Sequence, residues 1–159
     1  MKVVVNSTPL ISLAILDKLS LLDELFQEVY IPPAVFKETT KKGKKKARAI
    51  ENWGKNKISN ALNFSTKEAL EITLDEGESE VIALAQKINA NLVIIDEEKA
   101  RNIARLYNMN VTGTIGVLIF AREQGKLTAI KPLLDKLINN GIYISVELYN
   151  RACSKENQK

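Results

Sequence analysis

Apolar positions along this chain fall into short dense blocks separated by amphipathic stretches. Val3-Val4-Val5 runs without alternation, as a strand covered on both faces does, and Ser7-Thr8-Pro9 follows it with helix-entry residues. Leu10, Ile11, Leu13, Ala14 and Leu16 continue as an apolar helix. A second helix starts at Ser20, with Leu21, Leu22, Leu25 and Phe26 on one side. Val29-Tyr30-Ile31 predicts a second strand, stopped by Pro32-Pro33, and 34–40 a helix that carries Glu38. The spacing over 47–53 is again helical, with Gly54 ending it. Residues 55–66 carry the weakest pattern, with a short strand expected near Ile58.

The second half is clearer. The acidic run Asp75-Glu76-Gly77-Glu78-Ser79-Glu80 leads into the apolar helix Val81-Ile82-Ala83-Leu84-Ala85, which Asn89-Ala90-Asn91 breaks. Leu92-Val93-Ile94-Ile95 reads as a buried strand with Asp96 at its end. A helix over 98–107, a short strand at Met109-Asn110-Val111 and a helix over 115–123 follow. A last helix over 128–139 and a short element around Ile142-Tyr143-Ile144 close the pattern. Strands separated by helices predict a three-layer α/β/α sandwich around a central, mostly parallel sheet. The expected organisation is one domain over 1–150 and a polar, disordered tail over 151–159.

Composition narrows the chemistry mainly by subtraction. The 159 residues contain no histidine and one cysteine, Cys153. This removes the usual Ser-His-Asp and Cys-His catalysts, the usual zinc sites and any internal disulfide. Carboxylate, amide, hydroxyl and lysine remain, and carboxylates around a hard cation such as Mg²⁺ or Mn²⁺ are the natural construction from that set. No long uncharged apolar span and no signal-peptide pattern is present, so a cytoplasmic protein without membrane attachment is expected.

A net charge of +4 is modest, but Lys41, Lys42, Lys44, Lys45, Lys46 and Arg48 crowd around Gly43. The stretch reads either as a solvated loop or as a phosphate-contacting patch that gains from counterion release. No aromatic residue is interleaved, so base stacking is not expected there.

In an open parallel sheet, ligands collect at the carboxyl ends of the strands. Asn6 and Asp96 both end strands, Glu78 stands at a helix amino end and Glu38 follows a strand closely, so these four are expected to meet at one edge. Each has a plainer reading as well. Asp96 suits a helix cap, Glu78 and Glu38 suit surface charge, and Asn6 suits a turn whose backbone its side chain would bond.

The quoted segments resemble a known family. Val4-Val5-Asn6-Ser7-Thr8-Pro9-Leu10-Ile11, Ile31-Pro32-Pro33 with Glu38, and Gly77-Glu78-Ser79-Glu80 with Ile82-Ala83-Leu84-Ala85 look like the PIN-domain superfamily. Ile95-Asp96 with Ala100-Arg101, and Val111-Thr112-Gly113-Thr114-Ile115-Gly116-Val117-Leu118, fit as well. The branch is that of small prokaryotic PIN-like proteins, and the likeness extends to about residue 148.

That resemblance implies an Mg²⁺- or Mn²⁺-dependent ribonuclease, of the kind often found as the toxin of a toxin–antitoxin pair and often dimeric. Its acidic set falls on Asn6, Glu38, Glu78 and Asp96, with Glu80 competing for the third place. Its hydroxyl helpers fall on Ser7, Thr112 or Thr114, of which Thr114 is the expected catalytic one. Arg101 joins the basic stretch as an expected RNA contact, and the apolar helices from Leu10 to Phe26 are expected to supply a dimer face. Asn6 departs from the pattern, because an amide brings no charge where an aspartate would. The alternative implied by that departure is an inactive or weakened PIN-like module that binds RNA or a protein partner. A cytoplasmic binder of phosphate ligands is the third reading.

Overall fold

The computed structural model describes residues 1–156, the last two by backbone alone. Strand β1 (Lys2–Val5) is followed by helices α1 (Ser7–Ile15) and α2 (Ser20–Leu25), then by β2 (Glu28–Tyr30). Four helices lead on to the third strand: α3 (Pro33–Thr39), α4 (Ala47–Gly54), α5 (Phe64–Leu70) and α6 (Glu76–Ile88). Strand β3 (Leu92–Ile94), α7 (Glu98–Leu106), β4 (Val111–Thr112) and α8 (Thr114–Glu123) come next, before α9 (Lys131–Asn139) and α10 (Val146–Glu156).

The strands form one sheet in the order β2-β1-β3-β4, and every pairing is parallel. With helices on both faces this is a three-layer α/β/α sandwich. Its all-parallel character explains the unalternating strands: Val3, Val4, Val5, Ile94 and Ile95 are buried whichever face they point to. The chain leaves β1 toward β2 on one side and returns past it to β3 on the other. The carboxyl ends of β1 and β3 therefore flank a topological switch point, where open parallel sheets leave a crevice.

Local choices agree with this frame. Asp75 caps α6 by accepting from the Glu78 N–H at 2.7 Å, and Glu97 caps α7 by accepting from Ala100 N–H at 2.8 Å. Asn89 ends α6 in the left-handed conformation, φ 53°. The weak strand near Ile58 survives as a single parallel bridge to Ile31.

Three expectations give way. The strand placed at 109–111 lies two residues later, because Asn108 takes a left-handed φ of 61° and the α7 turn extends through Met109. The segment 151–159 is not a tail from its start: α10 runs to Glu156, with Ala152 buried at 1% exposure. Tyr149 donates to Asp135 on α9 at 2.6 Å and ties the helix down, whereas residues 157–159 fall outside the described part. The apolar residues from Leu10 to Phe26 do not form an outer face either. Leu10, Leu13, Leu16, Leu21, Leu22 and Phe26 are all buried in the chain's own core.

Candidate active site

Asn6 lies at the centre of the edge formed by the strand ends. Its backbone N–H donates to Ile94 O at 3.0 Å, extending the β1–β3 pairing by one step, and its carbonyl starts α1. The side chain is only 6% exposed and makes no cap bond, so the turn-bonding role open in the sequence is not the one adopted. The next residue, Ser7, reaches sideways: its Oγ donates to Glu38 Oε2 at 2.9 Å. This bond joins the start of α1 to α3 and holds one exposed carboxylate beside the crevice.

Glu38 in turn lies over the start of α6. A Cβ built on Gly77 would stand 3.4 Å from Glu38 Oε2 and 3.6 Å from Asp75 Oδ1. Both carboxylates therefore lie against the same stretch of backbone at ordinary contact distance. One residue on, Glu78 is half-buried and its carboxyl is pushed up to about 8. Burial is the largest cause, followed by the hydrogen bond with the Asp75 side chain and the negative charges of Asp75 and Glu97. Burial first, and then the Asp75 bond and neighbouring negative charge, therefore favour the protonated form of Glu78.

Asp96, at the end of β3, is held from the other side. Oδ1 accepts from the Thr114 N–H at 2.7 Å and Oδ2 from the Thr114 hydroxyl at 2.6 Å. Asp96 therefore does not cap α7, which Glu97 does; it serves the amino end of α8 across the sheet edge. Gly113 permits this, since a Cβ there would stand 2.5 Å from Asp96 Oδ1 and 2.8 Å from Arg101 Nη1. Thr112 packs its hydroxyl over Gly116, where again a side chain would collide.

Glu78 and Glu80 differ in their partners. Glu80 is 4% exposed, accepts from the Ala34 N–H at 2.8 Å and pairs with Lys67 at 2.7 Å. Its oxygens join α3, α5 and α6 and are turned away from the edge chemistry. The residues missed in the sequence are Asp75 and Glu97. The Asp75–Glu78 spacing is that of a capping box, the one available signal, and it says nothing about charge sharing. Glu38, Glu78 and Asp96, expected at one edge, each stand at or beside a strand end or helix start that borders it. Among the described residues no three acidic side chains are grouped as a metal-ligand set. The carboxylates instead form neighbouring pairs along the edge, because each is anchored to a different helix start.

The basic stretch stays exposed from Lys41 to Lys46, as does Arg48. Parts of it are engaged: Lys45 donates to Asn140 O at the end of α9 at 3.2 Å, and Lys46 lies 3.9 Å from Asp17. Lys41, with Lys37, borders a depression shared with Glu38, Asp75 and Gly77, so cationic groups reach the acidic edge. Lys37 was not foreseen. Arg101 donates to Ile95 O at 3.2 Å, next to Asp96.

A family model described as a PIN domain matches residues 2–158. The chain belongs to the PIN-domain family. A search of the curated proteins found no match. PIN domains generally include nucleases and typically use divalent metals, which gives the acidic edge its context. The donors on this edge are hard oxygens, from Asn6, Glu38, Asp75, Glu78 and Asp96. The donor chemistry of this PIN domain therefore fits a hard divalent cation. No helix among its described residues is long and apolar enough to cross a membrane.

Proposed function

We propose that this PIN domain hydrolyses RNA phosphodiesters with Mg²⁺ or Mn²⁺ at the carboxyl edge of its sheet. The reading rests on one observation above the others: Asp96, at the carboxyl end of β3 beside the switch point, is fixed through both oxygens by Thr114 at the start of α8. Glu38, Glu78 and Asp96 would hold the ion, with the Asn6 amide as a neutral fourth donor. A bound cation of this kind polarises a phosphodiester and lowers the pKa of water for in-line attack.

The chain's own groups do the rest. Thr114 fixes Asp96 through both of its oxygens, so the carboxylate cannot rotate away from the crevice. Ser7 steadies Glu38 by a single bond to one of its oxygens. The amino end of α8 favours an anion at that edge, and Lys37 and Lys41 offer charge for a phosphate backbone approaching from the α3 side. In this proposal the protein works in the cytoplasm, an antitoxin partner restrains it and a homodimer is its working form. Support for those three points comes from the resemblance to toxin-type PIN proteins.

A second reading has a specific basis. Asn6 is buried, uncharged and central, so the site lacks one negative charge where a charged ligand would bind the ion most strongly. An RNA-binding module with little turnover fits that feature. Cleavage of RNA with added Mn²⁺, its loss in EDTA and its loss in Asp96→Asn test the first reading. Salt-sensitive RNA binding with no cleavage at high Mn²⁺ would establish the second.

A further inference from the structure

On the β4 side of Asp96 lies a cleft of about 570 Å³ between the start of α1, the start of α8 and the segment leading into α10. Its size falls in the range of small-molecule sites. The cleft floor holds polar atoms that the fold leaves unsatisfied. Ser12 is 1% exposed and its Oγ has no partner. The Nε of Arg101 is buried and also has none. A buried polar atom without a partner costs stability unless something else bonds it.

The charge on Arg101 makes the same point independently. This half-buried guanidinium makes one hydrogen bond, to Ile95 O, and forms no ion pair among the described residues. The nearby Asp96 directs both carboxylate oxygens at Thr114. At the rim, by contrast, Arg151 is exposed and paired with Glu147 at 3.0 Å. A planar guanidinium that makes one hydrogen bond and no ion pair has donors to spare for a phosphate. The opposite wall is apolar, from Ile115, Ile119, Ile142 and Ile144, with Tyr143 88% exposed at the mouth.

We infer that this cleft is a nucleotide subsite. Arg101 takes the phosphate, and the isoleucine wall and Tyr143 take the base. The inference rests on the reading of the neighbouring edge as an RNA-cleaving site, and it names where one nucleotide beside the scissile phosphate is held. An anion and a flat apolar ring must be recognised together, which a free phosphate does not offer.

Binding is measured in EDTA, so that it does not depend on cleavage. Adenosine 5′-monophosphate, adenosine and inorganic phosphate are titrated separately into the full chain, with backbone amide spectra recorded. The monophosphate is expected to shift Ser12, Gly113 and Ile144 and to bind more tightly than either fragment. Arg101→Gln should weaken it about tenfold, with Arg101→Lys recovering part of the loss. Unchanged affinity in a folded Arg101→Gln protein would overturn the subsite. So would shifts confined to the Lys41–Lys46 stretch, or phosphate binding as tight as that of the nucleotide. Should Arg101→Gln fail to fold, Tyr143→Ala and the location of the wild-type shifts still decide. A protein that cleaves RNA but shows no nucleotide shifts loses this inference alone; nucleotide binding without cleavage keeps it and removes the nuclease.

Discussion

Thr114 gives Asp96 two hydrogen bonds, one from its backbone and one from its hydroxyl, each to a different carboxylate oxygen. The pair joins β3 to α8 across the sheet edge and fixes the orientation of the carboxylate nearest the switch point. A role for Asp96 in holding a cation and a role in holding α8 are therefore both written into the same contacts, and they separate by experiment. Asp96→Asn keeps the size and one acceptor oxygen while removing the charge. RNA cleavage in Mn²⁺ should fall about a hundredfold, with a much smaller change in thermal stability. Retained cleavage would overturn the nuclease assignment.

Asn6→Asp supplies the missing charge. In EDTA the variant should melt at a lower temperature than the wild type, because a buried carboxylate is added next to others. With Mn²⁺ the order should reverse, and the affinity for the ion should rise about tenfold or more for a charge a few ångströms away. A variant that gains nothing from Mn²⁺ would return Asn6 to a purely structural position.

The proton on Glu78 makes stability depend on pH. Its carboxyl titrates near 8 in the folded chain against an ordinary 4.5, so folding favours the protonated form. The contribution is complete below the ordinary value and is lost as pH rises through the folded one. In EDTA the melting temperature should therefore decline between those two pH values. Glu78→Gln should flatten the decline, and Mn²⁺ should oppose it by favouring the ionised carboxylate. An identical slope in wild type and Glu78→Gln, measured by calorimetry, would contradict this account.

Glu80 is expected to behave differently from Glu78 although it is only two residues away. Glu80→Ala strips partners from Lys67 and from the Ala34 N–H, and should cost about 3 kcal/mol in denaturant unfolding. Metal affinity should change little in the protein that remains folded. A stable Glu80→Ala protein that has lost metal binding would mean that Glu80, not Glu78, serves the ion.

Gly113→Ala probes the close approach at the heart of the edge. The added methyl meets Asp96 Oδ1 and Arg101 Nη1, so it must displace one of them. A loss of about 1–3 kcal/mol is expected, as for other overpacked sites, together with reduced cleavage. Neither effect would occur if α8 could simply slide outward.

Much of this is legible along the chain. Val3-Val4-Val5 and Leu92-Val93-Ile94-Ile95 announce doubly covered strands, and their polar successors Asn6 and Asp96 announce an edge, because side chains at strand ends have nowhere else to point. The helix starts at Ser7, Pro33 and Glu98 are read within a residue. Asp96 looked like a cap for α7 since the two are adjacent in sequence. Its real partner is eighteen residues on, and no local pattern reports a bond of that span. For the same reason 151–156 looked like a tail: a polar helix held by Tyr149 and Ala152 betrays its contacts only when α9 is beside it.

By itself, then, the chain determined its layers, its parallel sheet and the kind of chemistry open to it, because these depend on local periodicity and on which side chains are absent. Tertiary structure alone decided that Glu80 belongs to Lys67, that burial pushes the Glu78 carboxyl up, and that the Leu10 to Phe26 helices face inward. Those outcomes depend on distances between residues far apart in sequence, and on burial, which sets how strongly each charge is felt.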